Sequence, residues 1–277
     1  MTVKIVTDSV SDIPSELANS LDITMVPLTV NFGVESFLDG VEITPKEFFE
    51  KIETASSLPT TAAPSIGAFS EVYKDLTGKG HEVVSLHVSG KLSATLSSAT
   101  QAAAELGNDH ISVVDTQAVS AMEALIVTAA ARVAIAGGSV EEVIEKAQSS
   151  IGKTSVYVVL DTLEYLQRGG RIGRAAALMG GLLSIKPILT LNDGEVHPHE
   201  KVRTRAKALA RIIEIVQAGG PYEEITVMHA SAKDDAEYLT NVLEPLCSGL
   251  PILSGQIGPV VGTHAGPGSV AVAARRV

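Results

Sequence analysis

Val3-Lys4-Ile5-Val6-Thr7-Asp8-Ser9, followed by Asp12-Ile13-Pro14-Ser15-Glu16-Leu17, is the stretch on which the fold turns. Its first part is a short apolar run of strand type. Its second part places a capping residue and an early proline where a helix begins. Strand, turn and helix form the opening unit, and the unit recurs outward from it. Residues 69–76 read as helix, 82–88 as strand, 92–106 as helix, 111–114 as strand and 117–136 as a helix apolar almost all round. Short β-branched runs alternating with helical stretches are the pattern of a parallel sheet covered by helices. The N-terminal part is therefore expected to be doubly wound.

Two features interrupt or punctuate that pattern. Residues 23–30 are apolar but contain Pro27, and Gly33 and Gly40 follow, so a small β-rich insertion is expected at about 23–43. Thr44-Pro45-Lys46-Glu47 and Ser139-Val140-Glu141-Glu142 are capping boxes, and each opens a helix. Near Gly152 the alternation becomes less regular. The expected domains are an N-terminal α/β lobe over 1–152 and a C-terminal α+β lobe with a mixed sheet over 153–277. Candidate strands there are 155–160, 185–191, 225–228 and 252–256, with helices at about 203–218 and 232–249 covering one face.

At 277 residues, with 45% hydrophobic and 19% charged residues, the chain is long and apolar enough to bury a core without disulfides or a structural metal. The single cysteine, Cys247, excludes an intrachain disulfide and suits a reducing compartment. Acids outnumber bases 32 to 21, a net charge of −11 that repels a phosphate backbone, so no nucleic-acid partner is expected. Five Tyr, five Phe and no Trp leave few stacking platforms, and any pocket must be lined mainly by aliphatic side chains. The start lacks a basic segment with an apolar run behind it, and no uncharged run approaches the ~20 residues that span a bilayer. A cytoplasmic protein is expected.

In an open α/β sheet the ligand site lies at the carboxyl ends of the strands. Thr7-Asp8-Ser9, Ser89-Gly90-Lys91-Leu92-Ser93-Ala94-Thr95 and Asp115-Thr116 fall there, and the loop Pro59-Thr60-Thr61-Ala62-Ala63-Pro64-Ser65 is placed to close over them. The same residue types cap helices and build turns, so the hydroxyls alone decide nothing. Gly258 to Ser269 sets His264 among glycines and prolines, where an imidazole could stand at a pocket mouth or serve structure only. Arg168-Gly169-Gly170-Arg171-Ile172-Gly173 and Ser184-Ile185-Lys186-Pro187-Ile188-Leu189 present cations on tight turns. No nucleophile elbow, Walker loop or dinucleotide fingerprint is present, and no metal site is expected. His197-Pro198-His199 reads as a solvated turn.

Together these segments resemble the DegV family of bacterial proteins, from Lys4 to the C-terminus. The motifs that carry the resemblance are Thr7-Asp8-Ser9, Thr61-Ala62-Ala63-Pro64-Ser65, Ser89 to Thr95, Val113-Val114-Asp115, Leu163-Glu164-Tyr165-Leu166, Gly169-Gly170-Arg171-Ile172, Ile185-Lys186-Pro187-Ile188, Val202-Arg203 and Gly262-Thr263-His264-Ala265-Gly266-Pro267-Gly268. The resemblance implies two α/β lobes with a long-chain fatty acid, such as palmitate, between them. It also implies a role like the fatty-acid-binding subunit of bacterial fatty acid kinase, which is a carrier and not itself an enzyme. Such a carrier shields the acyl tail and presents the carboxylate to a separate ATP-dependent kinase subunit, which forms an acyl phosphate for lipid metabolism.

By that resemblance Thr61 and Ser93 hold the ligand carboxylate, with His264 as a polarising donor and Arg171 as the compensating charge. Arg203 would lie on the kinase-docking surface with Arg205 beside it. No cofactor is implied, and transient membrane contact is compatible with such a role. The chain departs from the family pattern at Ala62, Gly90, Ala94 and Ala265, which removes hydroxyls and leaves more of the head-group binding to Thr61, Ser93 and backbone amides. Helix 117–136 and the segment 175–183 are candidate walls for the tail, or else simple core. A reading from another class is a serine hydrolase or acyltransferase with Ser93 as nucleophile and His264 as base.

Overall fold

A computed structural model describes residues 2–107, 109–179 and 185–277. In the N-terminal half, β1 (Val3–Asp8), α1 (Ser15–Ser20) and β2 (Ile23–Val26) form the first unit. An antiparallel hairpin, β3 (Thr29–Phe32) and β4 (Glu35–Leu38), then leads through α2 (Pro45–Thr54) to β5 (Thr60–Ala62). The alternation resumes with α3 (Ile66–Gly78), β6 (Glu82–His87), α4 (Thr95–Leu106), β7 (Ile111–Asp115), α5 (Ala121–Ile135) and α6 (Val140–Lys153). Four of these strands make a parallel sheet in the order β2-β1-β6-β7, and β4-β3-β5 make a small antiparallel sheet beside it.

Period-2 alternation explains the layers. Ile5 and Val84 face a core that contains α5 and α6, whereas Val6 and Val83, one residue away, join Phe69, Tyr73, Ala99 and Ala102 under α3 and α4. The strand order reverses between β1 and β6, which places the switch point of the sheet at the carboxyl ends Asp8 and His87. Both sequence-predicted capping boxes form, Thr44 with Glu47 and Ser139 with Glu142.

The C-terminal half carries β8 (Thr154–Val159), α7 (Glu164–Arg168), β9 (Lys186–Asn192), β10 (Glu195–Val202), α8 (Arg205–Gly219), β11 (Tyr222–His229), α9 (Lys233–Leu243), β12 (Leu253–Gln256), α10 (Pro259–Ala265) and β13 (Val270–Arg276). Its mixed sheet runs β10-β9-β8-β13-β11-β12, with only the β11–β12 pair parallel. β13 alternates cleanly: Val270, Val272 and Ala274 pack under α8 and α9, while Ala271 and Ala273 face α5. Helix α5 is thus sandwiched between β1 on one side and β8, β11 and β13 on the other. That position explains why its sequence is apolar without a polar face.

Four expectations are corrected. Residues 23–26 belong to the main parallel sheet, paired with β1, and the insertion starts only after Pro27, which ends the ladder. The loop Pro59 to Ser65 contains β5, held by β3. His197-Pro198-His199 lies in edge strand β10, where an irregularity between Pro198 and Glu200 accommodates the proline. The glycine-rich segment after Gly258 is not all loop, because Pro259 starts helix α10.

Candidate functional site

A cavity of about 340 Å³ lies between the two large sheets, beyond the first turn of α5. It falls at the low end of the roughly 300–1,000 Å³ typical of small-molecule sites. The lining is aliphatic: Val10, Leu28 and Val88 come from the N-terminal side, and Val156, Val158, Leu189, Leu191 and Ala271 from the mixed sheet. Val119, Ser120 and Ala121 bring the start of α5 to it, so most of helix 117–136 is core between the sheets and not wall. Ala175 and Leu178 stand behind the wall, packed on Leu160, Leu166 and Leu189, while the 180–183 part of that predicted wall lies outside the described residues.

All four sequence-predicted head-group residues, Thr61, Ser93, Arg171 and His264, line this one cavity. Thr61 is on β5, opposite Val30, and strand alternation turns it inward while Thr60 and Ala62 are exposed. Ser93 sits in the turn between β6 and α4, where the amides of Leu92 and Ser93 donate to the Ser89 carbonyl at 2.9 and 3.1 Å. Its hydroxyl lies 2.8 Å from Thr95 Oγ1 and accepts from the Thr95 amide at 3.2 Å. Arg171 follows the Gly169-Gly170 turn after α7. Its Nε donates to the Leu92 carbonyl at 3.0 Å and its Nη1 to the Gly169 carbonyl at 2.8 Å, which ties the two halves together at the cavity.

His264 is carried by α10 and reaches Thr61 Oγ1 through Nε2 at 3.0 Å. Its Nδ1 is buried without a hydrogen-bond partner among the described residues. That nitrogen lies against Gly169, where a Cβ would come within 2.1 Å of it, so the position requires glycine. Burial, and then the Arg171 charge, push the imidazole pKa down to about 4, which makes the ring neutral near pH 7. A proton on Nδ1 would be a buried, unsatisfied donor costing about 1–3 kcal/mol. The proton therefore belongs on Nε2, which donates to Thr61 Oγ1 and leaves the Thr61 hydroxyl proton free to point into the cavity.

The N-terminus of α10 is fixed by two carboxyl groups that sequence patterns did not single out. Asp12 accepts from the Gly258 amide at 2.9 Å and from the Ser120 hydroxyl, and Asp39 accepts from the Ser9 hydroxyl at 2.7 Å and from the Val260 amide. Burial raises the pKa of both, that of Asp39 to about 7. Ser120 and Thr190 are further polar residues in the lining that sequence reasoning missed. Ser120 follows the fourth strand of the parallel sheet, so the strand-end rule could have found it. Thr190 lies inside a strand and carries no such signal.

Ser93 and His264 are not paired, since the imidazole is engaged by Thr61 and the serine hydroxyl by Thr95. Arg203 is exposed between β10 and α8. Arg205, expected beside it, is instead held in ion pairs with Asp161 and Asp235. Among the described residues no group of three or more His, Cys, Asp or Glu is arranged to hold a metal ion, and no helix is long and apolar enough to cross a membrane.

Residues 2–276 match the model of a family described as an uncharacterised protein family, DegV. The chain belongs to the DegV family. A DegV domain-containing protein of Streptomyces coelicolor is 40% identical over 274 residues, covering 98% of this chain and 97% of that protein. Among solved DegV structures, one from Thermus thermophilus described by its fatty acid binding superposes with a TM-score of 0.92 at 37% identity, with 100% of both chains covered. DegV of Bacillus subtilis, described as a fatty acid binding protein, gives a TM-score of 0.89 at 32% identity over 99% of each chain. The parallel sheet in one lobe and mixed sheet in the other are thus the DegV fold.

Proposed function

We propose that this protein binds a long-chain fatty acid in the cavity between its lobes, taken as residues 1–152 and 153–277, and presents the carboxylate to a partner kinase. The observation that carries the reading is the cavity itself, with aliphatic walls and the four polar residues Thr61, Ser93, Arg171 and His264 gathered in its lining. The fatty-acid binding described for DegV proteins of the same fold supports it.

The chemistry follows from the donors. Thr61 and Ser93 each offer a hydroxyl proton to a carboxylate oxygen, and neither brings a charge of its own. His264 acts through Thr61: its Nε2 proton occupies a Thr61 lone pair and aims the Thr61 proton at the ligand. Arg171 offsets the cost of placing an anion in an apolar cavity. The tail contributes most of the affinity, since each buried methylene adds about 0.8 kcal/mol before the costs of association. In the transfer that this carrier serves, a carboxylate oxygen bonds to the terminal phosphorus of ATP on the kinase. The bond from that phosphorus to its bridging oxygen breaks, ADP leaves, and an acyl phosphate remains. Exposed Arg203 is the docking contact of that reading, palmitate its type ligand and the cytoplasm its setting.

The direct test is to purify the protein, extract it with organic solvent and identify what is released by mass spectrometry. Fatty acid released in molar proportion, or taken up in that proportion after delipidation, is the expected result. Absence of both overturns the reading.

A further inference from the structure

Behind the α10 wall of the cavity stand the carboxyl groups of Asp12 and Asp39, which the fatty-acid reading leaves without a part. Each holds residues that line the cavity. Asp39 accepts from the Val260 amide and from the Ser9 hydroxyl, whose oxygen in turn accepts from the Leu28 amide at 3.1 Å. Asp12 accepts from the Ser120 hydroxyl and from the amide of Gly258, the neighbour of Ile257. Leu28, Ser120, Ile257 and Val260 are all lining residues, so one side of the cavity hangs on this pair. Both carboxyls converge on one backbone position: a Cβ on Gly258 would lie 2.6 Å from Asp12 Oδ1 and 3.4 Å from Asp39 Oδ1.

No cation answers these carboxyls. Asp39 is 3% exposed, and among the described residues no Lys or Arg acts on either group. The charges that face them are of their own sign. Asp8 acts on both and has its own partner, His87 Nδ1, at 2.9 Å. From α5 comes Glu123, fully buried, with neither carboxyl oxygen partnered among the described residues. α10 carries no titratable side chain except His264, which is neutral near pH 7 and bound to Thr61. α2 meets α10 through Phe48 and Phe49 at Gly262, and the turn after Asp39 adds only Glu42, exposed and bound to the Leu38 amide at 2.7 Å. Burial thus keeps Asp39 neutral until about pH 7, where its proton is lost.

An anionic amphiphile in the cavity acts on this pair in one direction. Its tail displaces water from the far side of Leu28, Ser120, Ile257 and Val260, and its head adds a negative charge to the same space. Both effects disfavour the charged form of a neighbouring carboxyl. By reciprocity, a ligand that makes a proton harder to lose is itself held more tightly while the proton is there. We propose that Asp39, with Asp12 beside it, is a positioning residue that couples the cavity's ligand to a proton: the fatty acid is taken up with the pair neutral and given up as the pair ionises on the alkaline side. The coupling rests on the fatty-acid reading of the cavity.

The test uses the full-length delipidated protein and laurate, titrated calorimetrically from about pH 6 to about pH 8.5 into wild type, Asp39→Asn, Ser9→Ala and the distant surface control Asp75→Asn. Repeating each titration in two buffers of different ionisation enthalpy counts the protons taken up with the ligand. In wild type and Asp75→Asn the affinity should fall by roughly tenfold across the range, with protons taken up on binding above about pH 7. Asp39→Asn keeps an acceptor that does not ionise, so its affinity should vary by less than about twofold and its proton uptake should vanish. Ser9→Ala keeps Asp39 but removes a hydroxyl that favours its charged form, and should move the fall to higher pH. A wild-type affinity that does not change with pH, or the same fall in Asp39→Asn, overturns the coupling and leaves the cavity reading intact. If Asp39→Asn does not fold, absence of proton uptake in wild type or an unmoved fall in Ser9→Ala overturns it. Absence of saturable laurate binding by wild type at about pH 6 overturns both readings.

Discussion

Two polar clusters in this protein use the same kinds of residue to opposite ends. Beneath the parallel sheet, Tyr73 donates to Ser85 at 2.8 Å, Ser85 lies 2.7 Å from His87 Nε2, and His87 Nδ1 lies 2.9 Å from Asp8. Asp8 also accepts from the amides of Val10 and Val88 at 3.1 and 3.0 Å. Every member of that chain is fully buried and every one has its partners. At the cavity, Thr61, His264, Ser93 and Arg171 form a cluster with capacity to spare: a Thr61 hydroxyl proton aimed inward and a guanidinium among aliphatic walls. A saturated network holds the fold together, and an unsaturated one is ready for a ligand.

The largest effect that would break this contrast is in the saturated cluster. Asp8→Ala removes the acceptor of three hydrogen bonds and should cost about 3–5 kcal/mol, read as a lower urea midpoint. The cavity residues should not behave this way. An Asp8→Ala protein as stable as wild type would remove the distinction.

Next in size is the pair that anchors α10. Asp39 has a folded pKa of about 7 against an ordinary value near 3.8, so the unfolded chain gives up its proton first as pH rises. Stability contributed by the neutral form is complete below about pH 4 and is lost as pH climbs through 7, on the order of 4 kcal/mol in all. Asp39→Asn should flatten that decline in urea titrations between pH 4 and 8. His264 acts in the opposite sense. Its pKa is lowered to about 4, so its share of stability is lost as pH falls from the usual histidine range toward 4. His264→Gln should remove the acid-side loss and leave the Asp39 slope in place.

Much of the framework was legible in the sequence. The strand and helix units around β1, β6 and β7 and the two capping boxes followed from local pattern. So did the grouping of the Asp8, Ser89 and Asp115 segments, because the strand-end rule and period-2 burial act over a few residues. What was missed depended on distant partners. β5 is three residues long and exists only because β3 pairs with it, and β13 is an Ala/Val run whose faces are decided by α5 and α8. Helix α10 was hidden by the glycines and prolines that let it pack against Phe48, Phe49 and Tyr165. Asp8 and Ser93 both belonged to hydroxyl- or acid-bearing strand-end motifs. Only saturation of their hydrogen bonds, a tertiary property, separates the structural residue from the candidate ligand-binding one.

Smaller effects sharpen the contrast at the cavity itself. Thr61→Val keeps shape but removes the hydroxyl, and should weaken fatty-acid binding by roughly tenfold; it also leaves the His264 Nε2 proton without its acceptor, so it should cost about 1 kcal/mol of stability, well under the loss in Asp8→Ala. Ser93→Ala should weaken it by roughly fivefold, less than Thr61→Val because the Ser93 hydroxyl is shared with Thr95.

Calorimetric titration of palmitate into the delipidated wild-type protein and the Thr61→Val/Ser93→Ala double variant tests whether these hydroxyls hold a fatty acid in the cavity. One saturable site per chain is expected in the wild type, weakened by more than about tenfold in a double variant that remains folded. Absence of saturable binding in the wild type, or equal affinity in the two proteins, would contradict it.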